Sequence, residues 1–340
     1  MLGLPSLPRT LEAALRDVSS KKPEVRADAI RDLVRYEDEA RAKVRCALEG
    51  ALRDEDPRVR GLAATALADI GAKESLSTLL VAVEDEDAYV RQMAISALGE
   101  LGDARAGERL RRALGDARPE VRFQAVMAFP RVTARKEDAL DAVLAAMDDK
   151  DAHVAHIALR MAEELAGTKK PDARVLTKAK DLLADGPPTV RVTAAVVLAH
   201  AGDLAGRDLL VKVAIGEAKT DEGEDEAAAI ELCGELSFRE AERGLSRRAF
   251  GGVLGLGRDK FHWHARVALA RLGNERAARE IVAELHSWDP GKRTLAVAAV
   301  GRARIASARD AVRGMRDAPE KADPEAVEEA LRCLADEPKK

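Results

Sequence analysis

Residues 249–266, AFGGVLGLGRDKFHWHAR, gather more groups with chemical potential than any other stretch: closely spaced glycines, Arg258, Asp259 and Lys260, then His262 and His264 around Trp263. A glycine-rich loop cradles phosphate through its backbone N–H groups, and Gly252 and Gly257 have the G-x-x-x-x-G spacing. Arg258 and Asp259 stand where that loop needs Lys and then Ser or Thr, and no strand pattern precedes it, so nucleotide binding is not expected. The dinucleotide fingerprint fails as well, because Lys260 stands at the third position after Gly255 and Gly257. His262 and His264 share a face only in extended chain, they diverge on a helix, and no Cys or carboxylate stands beside them at ligand spacing. No metal site is expected. The favoured reading is an elongated elbow between two helices, whose leucines and Trp263 pack on the next element. Its alternative is an anion-binding set of Arg258, Lys260, His262 and His264.

No catalytic constellation emerges elsewhere. The six histidines are scattered, no serine sits in a nucleophile elbow, and carboxylate pairs such as Asp148 and Asp149 fall at turns between helices, where they cap. Cys46, Cys233 and Cys333 are odd in number, widely spaced and set among Ala and Leu. They read as small buried hydrophobes in a reducing compartment, not as a disulfide framework or zinc site. The expectation is a protein that is not an enzyme, with no cofactor and no small-molecule ligand.

The elements that carry these residues follow from composition. The 340 residues are 46% hydrophobic but only 3% aromatic, with alanine supplying much of the apolar fraction. Such a mixture favours helices packed closely through small side chains over sheets, which draw on β-branched and aromatic residues. The fold class is therefore all-α. A net charge of −4, from 56 basic and 60 acidic residues, gives no global field of the kind that marks a nucleic-acid binder. The N-terminal MLGLPSLPRTLEAALRD has no basic region and its apolar run is broken by Pro5 and Pro8, so it does not read as a secretion signal. With nowhere eighteen consecutive apolar residues, no membrane association and a cytoplasmic location are expected.

The chain repeats itself. DPRVRGLAATALADIG from Asp56, DAYVRQMAISALGELG from Asp87, RPEVRFQAVMAF from Arg118 and PTVRVTAAVVLAHAG from Pro188 are copies of one motif. Aligned on its first valine, the copies fall at Val25, Val59, Val90, Val121, Val154 and Val190, with weaker ones at Asp225, Phe261, Lys292 and Ala326. That spacing defines ten units of helix, turn and helix across a single domain spanning residues 1–340. Asp56 is placed to cap the motif helix and Pro57 to open it, while Gly71 and Gly102 permit the left-handed turn that ends it. One hairpin cannot bury its apolar face alone, so neighbours must stack into an α-solenoid.

The D-P-x-V-R turn and the following A-x-x-A-L-x-x-[IL]-G resemble the HEAT-repeat family, and within it the short bacterial HEAT-like repeats of phycobilisome-lyase type. The likeness runs over roughly residues 10–336. It implies a bacterial protein with a curved superhelix whose second helices line a concave face, which most members use to hold proteins and some to hold nucleic acid or a small molecule. In the family, the arginines after the valine, Arg26, Arg60, Arg91, Arg122 and Arg191, bridge to a neighbouring unit's turn. That reading is preferred over a phosphate-binding ladder. The metal-binding His-Glu pairs of HEAT-repeat hydroxylases are absent.

Within the motif helix, offset four from the valine is Ala29, Ala63, Ala94, Ala125, Ala158 and Ala194, and offset eight is Leu33, Leu67, Leu98, Phe129, Ala162 and Leu198. These lie on one face and form the core. Offsets two, six and ten point away from it, toward the groove; in the sixth unit they are Val192, Val196 and His200. Phe123 and Met127 interrupt this otherwise polar or small stripe. They either form an exposed apolar spot or are buried by a rotation of their helix between Pro119 and Pro130. With Gln92, Arg131, His156 and Arg160 they make the candidate partner-binding stripe. Residues 217–226 are strongly acidic and read as a mobile loop in the seventh unit. Residues 230–316 hold 17 basic and 10 acidic side chains and both tryptophans, Trp263 and Trp288.

The leading functional reading is a non-enzymatic scaffold or adaptor that docks a protein on the concave face. The alternative is nucleic-acid binding through the basic, Trp-containing C-terminal third, by likeness to HEAT-like alkylpurine DNA glycosylases, although no aspartate is assignable to their catalytic role. Third is a tetrapyrrole lyase or isomerase, suggested only by the repeat's family label and poorly supported by the low Tyr and Cys count.

Overall fold

The protein is described by a computed structural model covering residues 9–251, 259–316 and 318–335. All regular structure among these residues is helical. The chain divides into two compact units, Met1–Lys178 and Ala179–Lys340.

The first unit stacks the hairpins α1 (Leu11–Asp17) with α2 (Pro23–Leu33), α3 (Glu37–Ala51) with α4 (Pro57–Asp69), α5 (Leu76–Ala82) with α6 (Ala88–Leu101), α7 (Gly107–Ala113) with α8 (Pro119–Val132), and α9 (Lys136–Ala146) with α10 (Ala152–Ala166). Helix α11 (Ala173–Asp185) crosses the division and precedes α12 (Pro188–His200). The second unit continues with α13 (Arg207–Ala214) and α14 (Gly223–Glu235), α15 (Glu242–Phe250) and α16 (His262–Arg271), α17 (Glu275–Glu284) and α18 (Pro290–Ala303), and α19 (Arg309–Arg313) and α20 (Pro324–Ala335).

The second helix of each pair starts for a local reason. Asp56, Asp87, Asp151 and Asp289 each accept a backbone N–H from the first turn of the helix that follows, satisfying donors a helix end otherwise leaves open. Pro57 and Pro119 open their helices at positions that have no intrahelical donor to lose. Gly71 and Gly102 end theirs at φ +58° and +65°. After α14 and α18 the same turn is made by Ser237 at φ +58° and Arg304 at φ +53°, where a side chain is disfavoured.

The core is an apolar cluster from Ala14 to Val132 in the first unit and, in the second, one around Ile230 and one around Val297. The alanine at offset four is buried in every second helix, from Ala29 and Ala63 through Ala229, Ala265 and Ala296 to Ala330. Larger residues at offset eight, among them Leu67, Phe129, Leu269 and Val300, fill the space between helices. Small side chains let second helices approach closely: a β-carbon on Gly99 would lie 2.7 Å from that of Ala128, and one on Gly234 2.6 Å from the backbone of Ala268. Successive first helices are linked instead by long charged side chains, as in Arg109 with Glu84, Arg111 with Asp138 at 3.2 Å, and Arg174 with Glu137 at 2.8 Å. Within each unit the second-helix layer is therefore the shorter, and the unit is concave on that side.

The structure departs from three of these expectations. The acidic stretch 217–226 is not all loop, because Gly223–Glu226 form the first turn of α14 and Asp225 is fully buried, accepting the hydroxyl of Thr193. A carboxylate placed where other copies have valine is tolerated through that hydroxyl. Val192 and Val196 do not face a groove, since α12 is buried from Val192 to Ala199 and both valines join the second unit's core with Ala229 and Ile230. Cys46 is exposed; Cys233 is buried and Cys333 half-buried. Burial pushes the Cys233 thiol up to about 12, leaving it an inert packing group.

Candidate functional site

The charges of the first unit are settled at its turns. Arg26 reaches Asp54 through Nε and Nη2, each at 2.6 Å, and the pattern repeats for Arg60 with Asp85, Arg91 with Asp116 and Arg122 with Asp149, all at 2.7–2.9 Å. The remaining Nη1 of each bonds a carbonyl of its own turn: Ser20, Asp54, Asp85 and Asp116 respectively. Each aspartate also accepts a backbone N–H two residues on. The Arg122 hydrogen bond holds the Asp149 carboxyl below its ordinary range against the opposing effect of burial. Forked, charge-assisted pairs of this kind orient one repeat on the next, and these guanidiniums are not available to phosphate. Arg191 departs from the series: it is exposed and bonds the carbonyl of Leu183. The signal for the partners was present in the sequence as an aspartate five residues before each valine.

With those charges spent, the face formed by α4, α6, α8 and α10 carries a different set. Phe123 and Met127 are half-buried, so neither the exposed nor the buried alternative describes them. Phe123 lines a shallow depression of about 260 Å³ with Gln92, Pro119, Glu120, Asp151 and His153. Tyr89, 40% exposed, and half-buried Met93 extend the apolar strip, and Thr65 on α4 reaches the Met93 sulfur at 3.7 Å. Of the other stripe residues, Arg131 is exposed, Arg160 pairs with Glu163 at 3.2 Å, and His156 is a correction, being buried among the helices at 8% exposure. Tyr89 and Met93 were missed because they lie at offsets one before and three after the valine, outside the offsets taken for the groove.

The second unit treats the same face differently. Glu231 on α14 accepts from His264 on α16 at 2.7 Å and from Arg302 on α18 at 2.6 Å, and Arg271 pairs with Glu235 at 2.5 Å. Burial alone would raise the Glu231 carboxyl; the His264 hydrogen bond and the Arg302 charge outweigh it and hold it low. Below this face Arg248 of α15, 8% exposed, bonds Glu226, Asp259 and the carbonyl of Ala214.

The residues of the anion-binding set are placed only in part. Arg258 lies outside the described residues, with the rest of 252–258. Lys260 leans on the Phe261 ring and Glu226, His262 Nδ1 meets the Asp259 carbonyl, and His264 is held by Glu231. Trp263 packs partly buried against the core of the following repeats, the elbow's leucines lie outside the described residues, and Trp288 is 88% exposed. Part of the basic charge of 230–316 is likewise internal: Arg248, Arg266, Arg271, Arg276, Arg302 and Arg316 all pair with carboxylates. Exposed Arg239, Arg243, Arg247, Arg279, Lys292 and Arg304 have no ion pair among the described residues, so the nucleic-acid reading keeps fewer free cations than the sequence suggested. Among the described residues no cluster of His, Cys, Asp and Glu is arranged to hold a metal, and no helix is long and apolar enough to cross a membrane.

Two overlapping segments, residues 47–130 and 78–166, match the family model described as HEAT repeats. A comparison with curated protein sequences finds no match. Among known structures, the complex of CpcE and CpcF of phycocyanin lyase from Nostoc sp. PCC7120 is similar at 20% identity, over 80% of this chain and 98% of that one, with a TM-score of 0.44. The X-ray structure of YibA of E. coli aligns at 16% identity over 78% of this chain and 93% of that one, with a TM-score of 0.55. A homology model of the full-length AP-3 complex in an intermediate open conformation aligns at 14% identity over 87% of this chain and 57% of that one, with a TM-score of 0.56. The latter two likenesses show the fold.

Proposed function

We propose, from the match of residues 47–166 to the HEAT-repeat model, that the chain is a HEAT-repeat protein and a non-enzymatic scaffold that docks a partner protein on the concave second-helix face of its first unit. The observation that carries this reading is the apolar strip of Tyr89, Met93, Phe123 and Met127 on a face whose neighbouring arginines are already paired within the chain. Exposed Tyr89 and half-buried Phe123, Met93 and Met127 beside polar groups such as Gln92 and Arg131 have the composition of an interaction hot spot. We also propose that the ten hairpins serve as a single solenoid, with the second unit as the stiffer part.

The test compares the full chain with the double variant Phe123→Ala/Met127→Ala. The variant is expected to keep a cooperative melting transition and to bind its partner ~2–4 kcal/mol more weakly. Partner capture that is equal for both proteins would overturn the assignment. So would binding to nucleic acid that falls steeply with salt and ignores the two substitutions.

A further inference from the structure

Three carboxylates at one edge of this face stand where the fold disfavours them. Asp69, Glu100 and Glu164 occupy the last turns of α4, α6 and α10, where the partial negative charge of the helix end opposes an acid. All three are exposed, and no ion pair among the described residues engages them; Glu100 takes only the Ser96 hydroxyl, at 3.3 Å. Helix α8, lying between them, follows the electrostatic rule with Arg131. The corresponding Glu235 of α14 is neutralised by Arg271. An unfavourable choice made on three of four neighbouring helices, with no compensating ion pair among the described residues, points to a contact outside the molecule.

Beside that acidic edge runs the apolar strip, bounded by half-buried Leu62 on α4 and Ile157 on α10. On the far side Glu120 has only a long contact from Arg118, at 3.5 Å, and Arg58 is neutralised by its own capping Asp56 at 2.7 Å. Helices in contact lie about 8–10 Å apart, so the strip from α4 to α10 is roughly 30 Å long, the length of a helix of about 20 residues.

We propose that this face takes a basic amphipathic helix of a partner protein, with its apolar stripe on Leu62, Met93, Phe123 and Met127 and its Lys or Arg side chains on Asp69, Glu100 and Glu164. The inference rests on the docking face proposed above and adds the chemistry of the occupant. An acidic segment or a nucleic acid would meet the same carboxylates with repulsion.

The experiment displays a library of 20-residue amphipathic peptides, varied in charge, to the immobilised full chain, and then measures the enriched sequences in solution. Enrichment of Lys and Arg flanking an apolar stripe is expected. Affinity for the winners should fall at least tenfold in Asp69→Asn/Glu100→Gln/Glu164→Gln and rise in Arg131→Glu, while the melting temperature of the triple variant stays level or increases. Neutral or acidic winners that still require Phe123 and Met127 would overturn the basic-partner inference and leave the docking face standing. Winners indifferent to Phe123 and Met127 would overturn both. A library without binders, or self-association of the chain through Phe123, would overturn the inference by removing the helix or replacing it with a second copy.

Discussion

The two units are built on the same buried alanine column yet distribute their charges in opposite ways. In the first, Arg26, Arg60, Arg91 and Arg122 are spent at the turns, and the concave face is left apolar and acid-edged. In the second, Arg191 and Arg293 keep that position but bond only carbonyls, Glu226 replaces it on α14 and takes its guanidinium from Arg248 on a first helix, and the concave face is cross-linked by Glu231, His264 and Arg302. The comparison teaches that the repeat is specified by its small-residue core, while the charged positions drift between roles. A face closed by its own ion pairs has little left to offer a partner; a face relieved of them does.

The strongest test of that contrast is Arg248→Ala. It strands Glu226 and Asp259, both largely shielded, and should destabilise the second unit by ~3–5 kcal/mol. Hydrogen exchange resolved by residue should show the loss confined to the second unit, because repeats lean only on their neighbours. Equal loss in the first unit would erase the distinction.

Next in size is a matched pair of insertions into the close helix contacts. Gly234→Ala drives its new methyl against the Ala268 backbone and should cost ~1–3 kcal/mol, whereas Gly99→Ala meets the Ala128 methyl first and should fall at the lower end of that range. Thermal melts of the two variants rank the units by tightness.

Acid separates them more gently. Hydrogen bonds from Arg58 and Arg105 hold Asp56 and Asp103 in the first unit at about 2, and Glu231 in the second is also held low. Because these folded-state values lie below the unfolded ones of ~3.9 for Asp and ~4.3 for Glu, the stabilisation is complete above about pH 4 and is lost as pH falls toward 2. Glu231→Gln should flatten that acid limb for exchange in the second unit alone. An unchanged limb would show that the concave cross-link contributes nothing there.

The smallest expected effect is a gain. Ser237 and Arg304 hold a left-handed turn that Gly71 and Gly102 hold without strain, so Ser237→Gly or Arg304→Gly should raise stability by ~0.5–1 kcal/mol, visible as a small rise in melting temperature.

Much of the fold was legible in the sequence because its determinants are local. The alanine at offset four needs only helical periodicity to be recognised, and caps such as Asp56 need only their own turn. The site was less legible because its determinants are differences between helices. Whether Phe123 is covered depends on how α8 sits between α6 and α10, and no spacing within α8 encodes that. Asp225 misled for a related reason: its surroundings suggested a solvated loop, whereas it is buried and bonded to Thr193, 32 residues earlier. Asp69, Glu100 and Glu164 fall at offset ten of their helices, but their meaning came from the absence of ion-pair partners among the described residues, which a one-dimensional pattern does not contain.

The unequal binding of the two helix layers has a mechanical consequence. Each unit resembles a leaf spring with two leaves of different stiffness. The inner leaf is fastened by glycine and alanine backbones nearly in contact, which can be neither compressed nor sheared cheaply. The outer leaf is held by solvent-exposed pairs such as Arg109 with Glu84 and Arg174 with Glu137, each worth little and weakened by dissolved ions. Bending should therefore concentrate on the outside, with the inner leaf as the neutral axis, and the radius of curvature becomes a quantity that ionic strength can tune without disturbing the core.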